Sequence, residues 1–389
     1  MITFRMGQIW ALLNLTIAFV IALFKKERKQ HVWLIAERGV DARDNGFCFF
    51  MYMKEKHPEE QVYYVISKES PDRKRFSKYE KYLLDYRSLN HYVILWCAKY
   101  LVSTHLQGYF PYAGLGIFVK GIFPYYNNKI HINLKHGITL NYASVHEYKY
   151  AKWDLIIAGT IPEYNFIIER YGYPIANVAL TGLARYDQLS SNPSPRQLLL
   201  MPTWREWIYE EKGFEQTQYA QRYASLIQSC KLNKLLEENN ITLIFYPHHE
   251  IQKKIDFFRK ANISKHIIIA DEQNYDVQQL LKESALLITD YSSVVFDMAY
   301  MRKPVLCYQF DHDRFMAEHY QKGWFSYNDS FAEVHTCEET LINAIQHYIT
   351  HGCVLKSEYC DYIDGLFPFH DNKNCERIYT SILNIHKPD

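Results

Sequence analysis

The stretch LITDYSSVVFDMA, residues 287–299, runs from unbroken apolar residues into an acid, a tyrosine and two serines, then resumes an apolar pattern. The second pattern has helical spacing, so the segment reads as strand, turn and helix. The strand should end near Thr289 and Asp290. Ser292 or Ser293 is then placed to cap a helix whose buried face is Val295, Phe296, Met298 and Ala299. Serine hydroxyls beside the free N–H groups of a helix N-terminus make an anion site. The same residues equally suit a cap that serves only the fold.

Working outward, this alternation recurs along the chain. HVWLIA (31–36), QVYYVIS (61–67), KIHINL (129–134), WDLIIAG (153–159) and NVALTG (177–182) read as strands. Between the first two, DNGFCFFMYMKEKHP reads as a helix entered at Asp44. A second series follows in RQLLLMPTW (196–204), ITLIFYPHH (241–249), HIIIAD (266–271), ALLITD (285–290) and PVLCYQF (304–310). Helices are expected at 219–238, 252–261, 276–283, 293–302, 337–350 and 374–385. SSNPSPRQ (190–197) is the best linker, since it carries two prolines and no apolar residue. The expected fold is α/β: two Rossmann-like halves over 31–190 and 196–370, facing across a cleft lined by strand ends. Residues 371–389 form a closing helix able to return to the first half.

The 389 residues allow about two domains. A net charge of +1 gives no basic field, so no nucleic-acid partner is expected. The 33 tyrosines and 22 phenylalanines are first of all packing residues. Eight cysteines occur without a CxxC pair and several lie in apolar runs, as in FCFF and VLCY. They read as free thiols in a reducing compartment.

Residues 1–30 form a separate apolar and basic segment. IWALLNLTIAFVIALF (9–24) is 16 residues long and is followed by KKERK. That is shorter than the roughly 20 residues that span a bilayer. A helix lying in the membrane interface, with Lys25, Lys26, Arg28 and Lys29 on anionic lipid, fits at least as well as a short span. A first helix packed on the body is the alternative without a membrane.

Four polar clusters fall at expected strand ends. LKHG (134–137) offers His136, with Gly137 expected to free the backbone for the turn. PTWR (202–205) offers Thr203 as a donor and Arg205 as a phosphate fork. HHE (248–250) offers His248 and His249 for charge neutralisation or proton transfer. The fourth is Asp290 with Ser292 and Ser293. P-loop, complete GxGxxG, HExxH and GxSxG patterns are absent from the sequence, and no metal-ligand spacing stands out. Asp311 and Asp313 in QFDHDRF read as a solvated loop. No cofactor or metal is expected.

These residues resemble the CDP-glycerol glycerophosphotransferases, enzymes that build the glycerol- or ribitol-phosphate units of teichoic acids and some capsules. ITDYSSVVFDMAYMRKPVLCYQFDHDRF (288–315) carries the strongest likeness. ERGVDARDNG (37–46), LKHGITLN (134–141), TGLARYDQL (181–189), PTWRE (202–206) and FHDNKNCERI (369–378) resemble further family segments. The likeness covers about residues 31–385. Three positions depart from it. Lys135 stands where the family usually has Trp, Asn141 where it has Lys, and Tyr246 where it has Arg or Lys; the closing segment also has Asp-Asn in place of Asp-Gly.

The resemblance implies a GT-B fold and attachment to the cytoplasmic face of a bacterial cell membrane. It also implies a CDP-glycerol or related CDP-alditol donor and a polyprenyl-pyrophosphate-linked saccharide acceptor. An acceptor hydroxyl would attack the β-phosphorus and CMP would leave. In that scheme His136 is the general base, and His248 and Arg205 stabilise the pyrophosphate. Ser292 and Ser293 grip it, Thr203 assists, and Asp290 orients the loop or a histidine. Gly137, His249, Asp297, Lys373 and Arg377 are further candidates. The competing readings are a GT-B glycosyltransferase using a nucleotide sugar, and a non-catalytic nucleotide-binding or membrane scaffold protein.

Overall fold

The computed structural model describes residues 6–25, 31–106, 108–112, 128–190, 194–209, 213–318 and 321–385. The chain divides into two units. The first comprises residues 1–137, 144–188 and 371–389; the second comprises 138–143 and 189–370. The chain therefore passes from one unit to the other directly after His136 and Gly137, and a last time at His370.

Unit 1 is built on β1 (Trp33–Ala36), β2 (Val62–Ile66), β3 (Leu83–Asp85), β4 (Tyr100–Ser103), β5 (Ile130–Asn133), β6 (Leu155–Ala158) and β7 (Val178–Leu180). They form one parallel sheet in the order β3-β2-β1-β4-β5-β6-β7. The register sets Trp33 beside Val62 on one side and Tyr100 on the other. Strands β1, β4, β5 and β6 are buried at every residue, as a parallel sheet covered on both faces requires. The closing helix, Asn374–Leu383, belongs to this unit. Asp187 accepts from the backbone N–H groups of Asn374 and Cys375 at its first turn.

The apolar N-terminal segment is helix α1 (Met6–Leu23). Ala11, Leu15, Ala18 and Ala22 follow i, i+4, i+7, i+11 spacing and are buried. They face α3 (Leu89–Cys97), where Trp96 donates its indole N–H to the carbonyl of Leu15 at 2.8 Å and meets the Phe19 ring edge-on. The opposite stripe, Trp10, Leu13, Ile17, Val20 and Leu23, is exposed. Among the described residues, no helix is long and apolar enough to cross a membrane. Residues 26–30, most of the basic run, lie outside the described residues.

Unit 2 carries β8 (Ser194–Leu200), β9 (Thr242–Phe245), β10 (Ile267–Ile269), β11 (Ser284–Thr289), β12 (Val305–Tyr308) and β13 (Ala332–His335). These also form a parallel sheet, in the order β10-β9-β8-β11-β12-β13. Its core gathers Leu198, Leu200, Leu243, Phe245, Leu286, Ile288 and Leu306 against tyrosine- and leucine-bearing helix faces. Two expectations change. The 219–238 helix is two, Gln218–Gln228 and Cys230–Glu238, with Ser229 extended between them. The second half of the expected linker is strand, because β8 starts at Ser194.

Candidate active site

In unit 1, His136 follows β5 on a tight turn. The Asn133 side chain accepts from the N–H of Lys135, and Lys135 takes a left-handed φ of 57°. The turn thus falls on Lys135 and not on Gly137, which is buried and without positive φ. The His136 side chain is 67% exposed, and its Nδ1 lies 3.6 Å from Asp44 Oδ2. One nitrogen of Arg185, NH1, donates both to Asp44 Oδ1 and to the carbonyl oxygen of His136, each at 2.7 Å. Asn45 completes the knot: its amide donates to the Lys135 carbonyl at 2.8 Å and accepts from the Arg185 N–H at 2.9 Å.

Two more imidazoles stand close by. His105 stacks on His136 with centroids 5.2 Å apart and planes 22° from parallel. Burial, with His136 adding to it, pushes His105 down to about 4. His146 is also pushed down to about 4, by burial and then by Lys135 and His136. Both neighbours are therefore neutral near pH 7. Asp44 shows the opposite balance: burial works against its charge, but Arg185 and His136 outweigh it and hold the carboxyl below its usual range.

Arg205 is the chief correction in unit 2. Its side chain is 0% exposed and is held between two carboxylates, Asp290 at 2.9 Å and Asp311 at 2.7 Å. The rings of Tyr291 and Phe315 lie 4.9 and 5.1 Å from its guanidinium carbon. So enclosed, the guanidinium turns its nitrogens to Asp290, Asp311 and the Thr203 carbonyl. Asp311 is accordingly no solvated loop residue, whereas Asp313 is exposed.

Asp290 is the clamp of this unit, and among the described residues its hydrogen-bond and ion-pair partners include no histidine. Its Oδ1 accepts from the N–H of Thr203 at 2.8 Å and of Tyr291 at 2.6 Å, and its Oδ2 accepts from the Tyr223 hydroxyl at 2.9 Å. The turns after the neighbouring strands β8 and β11 are thereby tied together. The following helix, Val295–Tyr300, is shorter than expected and is entered at Val294, with no side-chain cap. Ser292 instead accepts from the Val294 N–H at 3.4 Å, and both serines are half-buried. Asp297 is fully buried in that helix.

His248 is the N-cap of a short helix, His249–Gln252, and accepts from the Glu250 N–H at 3.3 Å. Trp204 stacks on it at 6.3 Å, and His249 pairs with Glu250 at 3.0 Å. The Thr203 hydroxyl is buried and has no hydrogen-bond partner among the described residues. Of the remaining candidates, Lys373 is exposed, and Arg377 forks onto Asp371 at 2.8 and 2.9 Å while also donating to Thr181 and Asn374. Both lie in unit 1. Sequence reasoning treated Asp44 only as a helix cap and did not nominate Arg185, His105 or Asp311. Asp44 and Arg185 were nonetheless inside two quoted segments, ERGVDARDNG and TGLARYDQL.

A family model described as CDP-Glycerol:Poly(glycerophosphate) glycerophosphotransferase matches residues 17–384. The chain belongs to this family. It is 32% identical, over 96% of its length, to the minor teichoic acid biosynthesis protein GgaB of Bacillus subtilis (strain 168), covering 42% of that protein. It is 24% identical over 94% of its length to the teichoic acid poly(glycerol phosphate) polymerase of the same strain, covering 50% of it. The chain thus spans half or less of these relatives. Among solved structures, the wall teichoic acid polymerase TagF superposes with a TM-score of 0.66 at 17% identity, covering 98% of both chains. A UDP complex of MnaA from S. aureus superposes at 0.56 with 15% identity, covering 92% of this chain and 99% of that one. Both likenesses concern the fold. The segments LKHG, PTWR and ITDYSS follow directly on the parallel strands β5, β8 and β11, at the strand ends where α/β sheets bind ligands.

Proposed function

We propose that this glycerophosphotransferase moves glycerol phosphate, or a related alditol phosphate, from a CDP-alditol to a lipid-linked saccharide or polymer in teichoic acid synthesis, releasing CMP. The observation that carries this reading is the family match over residues 17–384. In-line displacement at phosphorus asks a protein mainly for positioning and charge stabilisation. His136, exposed beside a carboxylate and two neutral imidazoles, is the general base that takes the proton of the acceptor hydroxyl. His248, Ser292, Ser293 and Thr203 hold the donor pyrophosphate. Arg205 and Asp290 act behind them as the brace of the β8 and β11 turns.

The exposed apolar stripe of α1 supports a peripheral seat on the cytoplasmic face of the membrane. Trp10, Leu13, Ile17, Val20 and Leu23 would lie at the acyl boundary, and Lys25 near the headgroups. The acceptor chemistry requires such a seat, since a polyprenyl-linked saccharide does not leave the bilayer.

The test is nucleotide release by the purified chain with membrane lipid acceptors. CDP-glycerol, CDP-ribitol and several nucleotide sugars would be compared. Acceptor-dependent CMP from either CDP-alditol is the expected result and names the donor. Turnover of a nucleotide sugar with neither CDP-alditol consumed would replace phosphoalditol transfer with glycosyl transfer.

A further inference from the structure

We infer that Asp44 and Arg185 are positioning residues for His136, and that Glu37 frees Asp44 for this work by capping the helix in its place. The inference rests on the reading of His136 as the general base. Asp44 precedes α2 (Asn45–Lys56), the position from which a short acid ordinarily serves the N–H groups of the first turn. Here that duty is taken by a residue further back. Glu37 follows β1, is 2% exposed, and accepts from the N–H groups of Asp44 and Phe47 at 2.9 Å and of Arg43 at 3.0 Å. Among the described residues, the one backbone N–H that the Asp44 side chain accepts is its neighbour's, that of Asn45 at 2.7 Å. The rest of its carboxylate meets Arg185 and His136.

The arrangement has the parts a base needs. A side chain as exposed as His136 would sample its rotamers unless something outside the ring held it. Asp44 faces Nδ1, which leaves Nε2 for the proton of a substrate hydroxyl. The separation of 3.6 Å is ion-pair range and longer than a hydrogen bond, a spacing that tightens when the imidazole gains its proton. Arg185 fixes both ends of the relation, because the nitrogen that holds Asp44 also holds the backbone of His136. His105, neutral and stacked flat against the ring, limits its rotation without competing for charge.

Asp44→Asn is the informative variant, since Asn caps helices as well as Asp and the fold should persist. In the full chain with CDP-glycerol and a lipid acceptor, kcat should fall about 10-fold or more while KM for CDP-glycerol stays unchanged. In a His136→Ala background the same substitution should cost nothing further, because its whole effect runs through the imidazole. A role in folding alone would lower both backgrounds equally, and that outcome overturns the inference. Should Asp44→Asn fail to fold, Arg185→Lys is read by the same pair of measurements and the same criteria. Full turnover in His136→Ala would instead refute His136 as base, a failure distinct from the first.

Discussion

Each unit buries one arginine at the ends of its strands, and the two are used in opposite ways. Arg185 in unit 1 holds the Asp44 carboxylate, whose other oxygen looks onto an exposed histidine. Arg205 in unit 2 is closed in by two carboxylates, with two tyrosine hydroxyls donating to those same acids. Burial opposes the charge of Arg205, yet Asp290 and Asp311 more than compensate and raise its proton affinity well above the usual value. The first cluster spends its fixed charge on an accessible group. The second holds two turns together, and its charged groups are sealed from solvent. Residue type at a strand end therefore says less about a role than whether the head group is sealed.

The largest effect should come from the accessible side of this comparison. His136→Ala should reduce turnover by roughly 10²- to 10⁴-fold while CDP-glycerol still binds, as removal of a general base does. Equilibrium binding of the donor, measured beside the rate, decides it. Loss of both together would make His136 a phosphate ligand, and the contrast between the units would shrink. Arg205→Met tests the sealed side. It strands two buried carboxylates, which should cost about 3–5 kcal/mol in a denaturant titration. A variant with the wild-type midpoint and weakened donor binding would return Arg205 to the role of phosphate fork.

This contrast also marks what could be read from the sequence. Ten of the thirteen strands among the described residues announced themselves as apolar runs, β3, β4 and β13 being the exceptions, and the four polar clusters lie at strand ends. What stayed hidden is burial on both sides of a boundary. YVILWCAKYLVS (92–103) is apolar but for Lys99 and Ser103, so the passage from α3 into β4 leaves no clear change of period. Strand β13, half-buried at three of its four residues, lacks an apolar run. Arg205 was the right residue type in a phosphate-like setting, but its partner Asp311 lies 106 residues away. Only the folded chain brings the two together. The capping by Glu37 was hidden for a similar reason, since a cap is sought next to its helix and this one stands seven residues before Asp44.

A smaller effect is expected at Thr203, whose hydroxyl is buried and unpartnered among the described residues. Thr203→Val removes a donor that no protein group uses, so stability should hold or rise slightly. If the hydroxyl serves the donor pyrophosphate, KM for CDP-glycerol should rise by about 5- to 10-fold, the worth of one ordinary hydrogen bond. An unchanged KM would leave donor binding in this unit to His248 and the serines.

The smallest effect sharpens the charge difference itself. The charge count around Asp44 turns on whether its buried neighbour Glu37 is neutral. Burial, then Asp44 and Asp41, pushes the Glu37 carboxyl up from 4.5 to about 8, while the N–H groups of Arg43 and Phe47 pull it back. A group that binds its proton more tightly in the folded state loses stability as pH climbs from its unfolded value to its folded one. Here that window runs from about pH 4.5 to about pH 8. Glu37→Gln has no such proton, so wild type should lose more thermal stability than the variant between pH 5 and pH 8. The excess should be about a few degrees in the melting midpoint. Parallel curves would mean that the backbone N–H groups keep the carboxylate ionised throughout. The Arg185 cluster would then set one arginine against two buried acids, the same charge count as the Arg205 cluster, and the exposed His136 would be what still sets it apart.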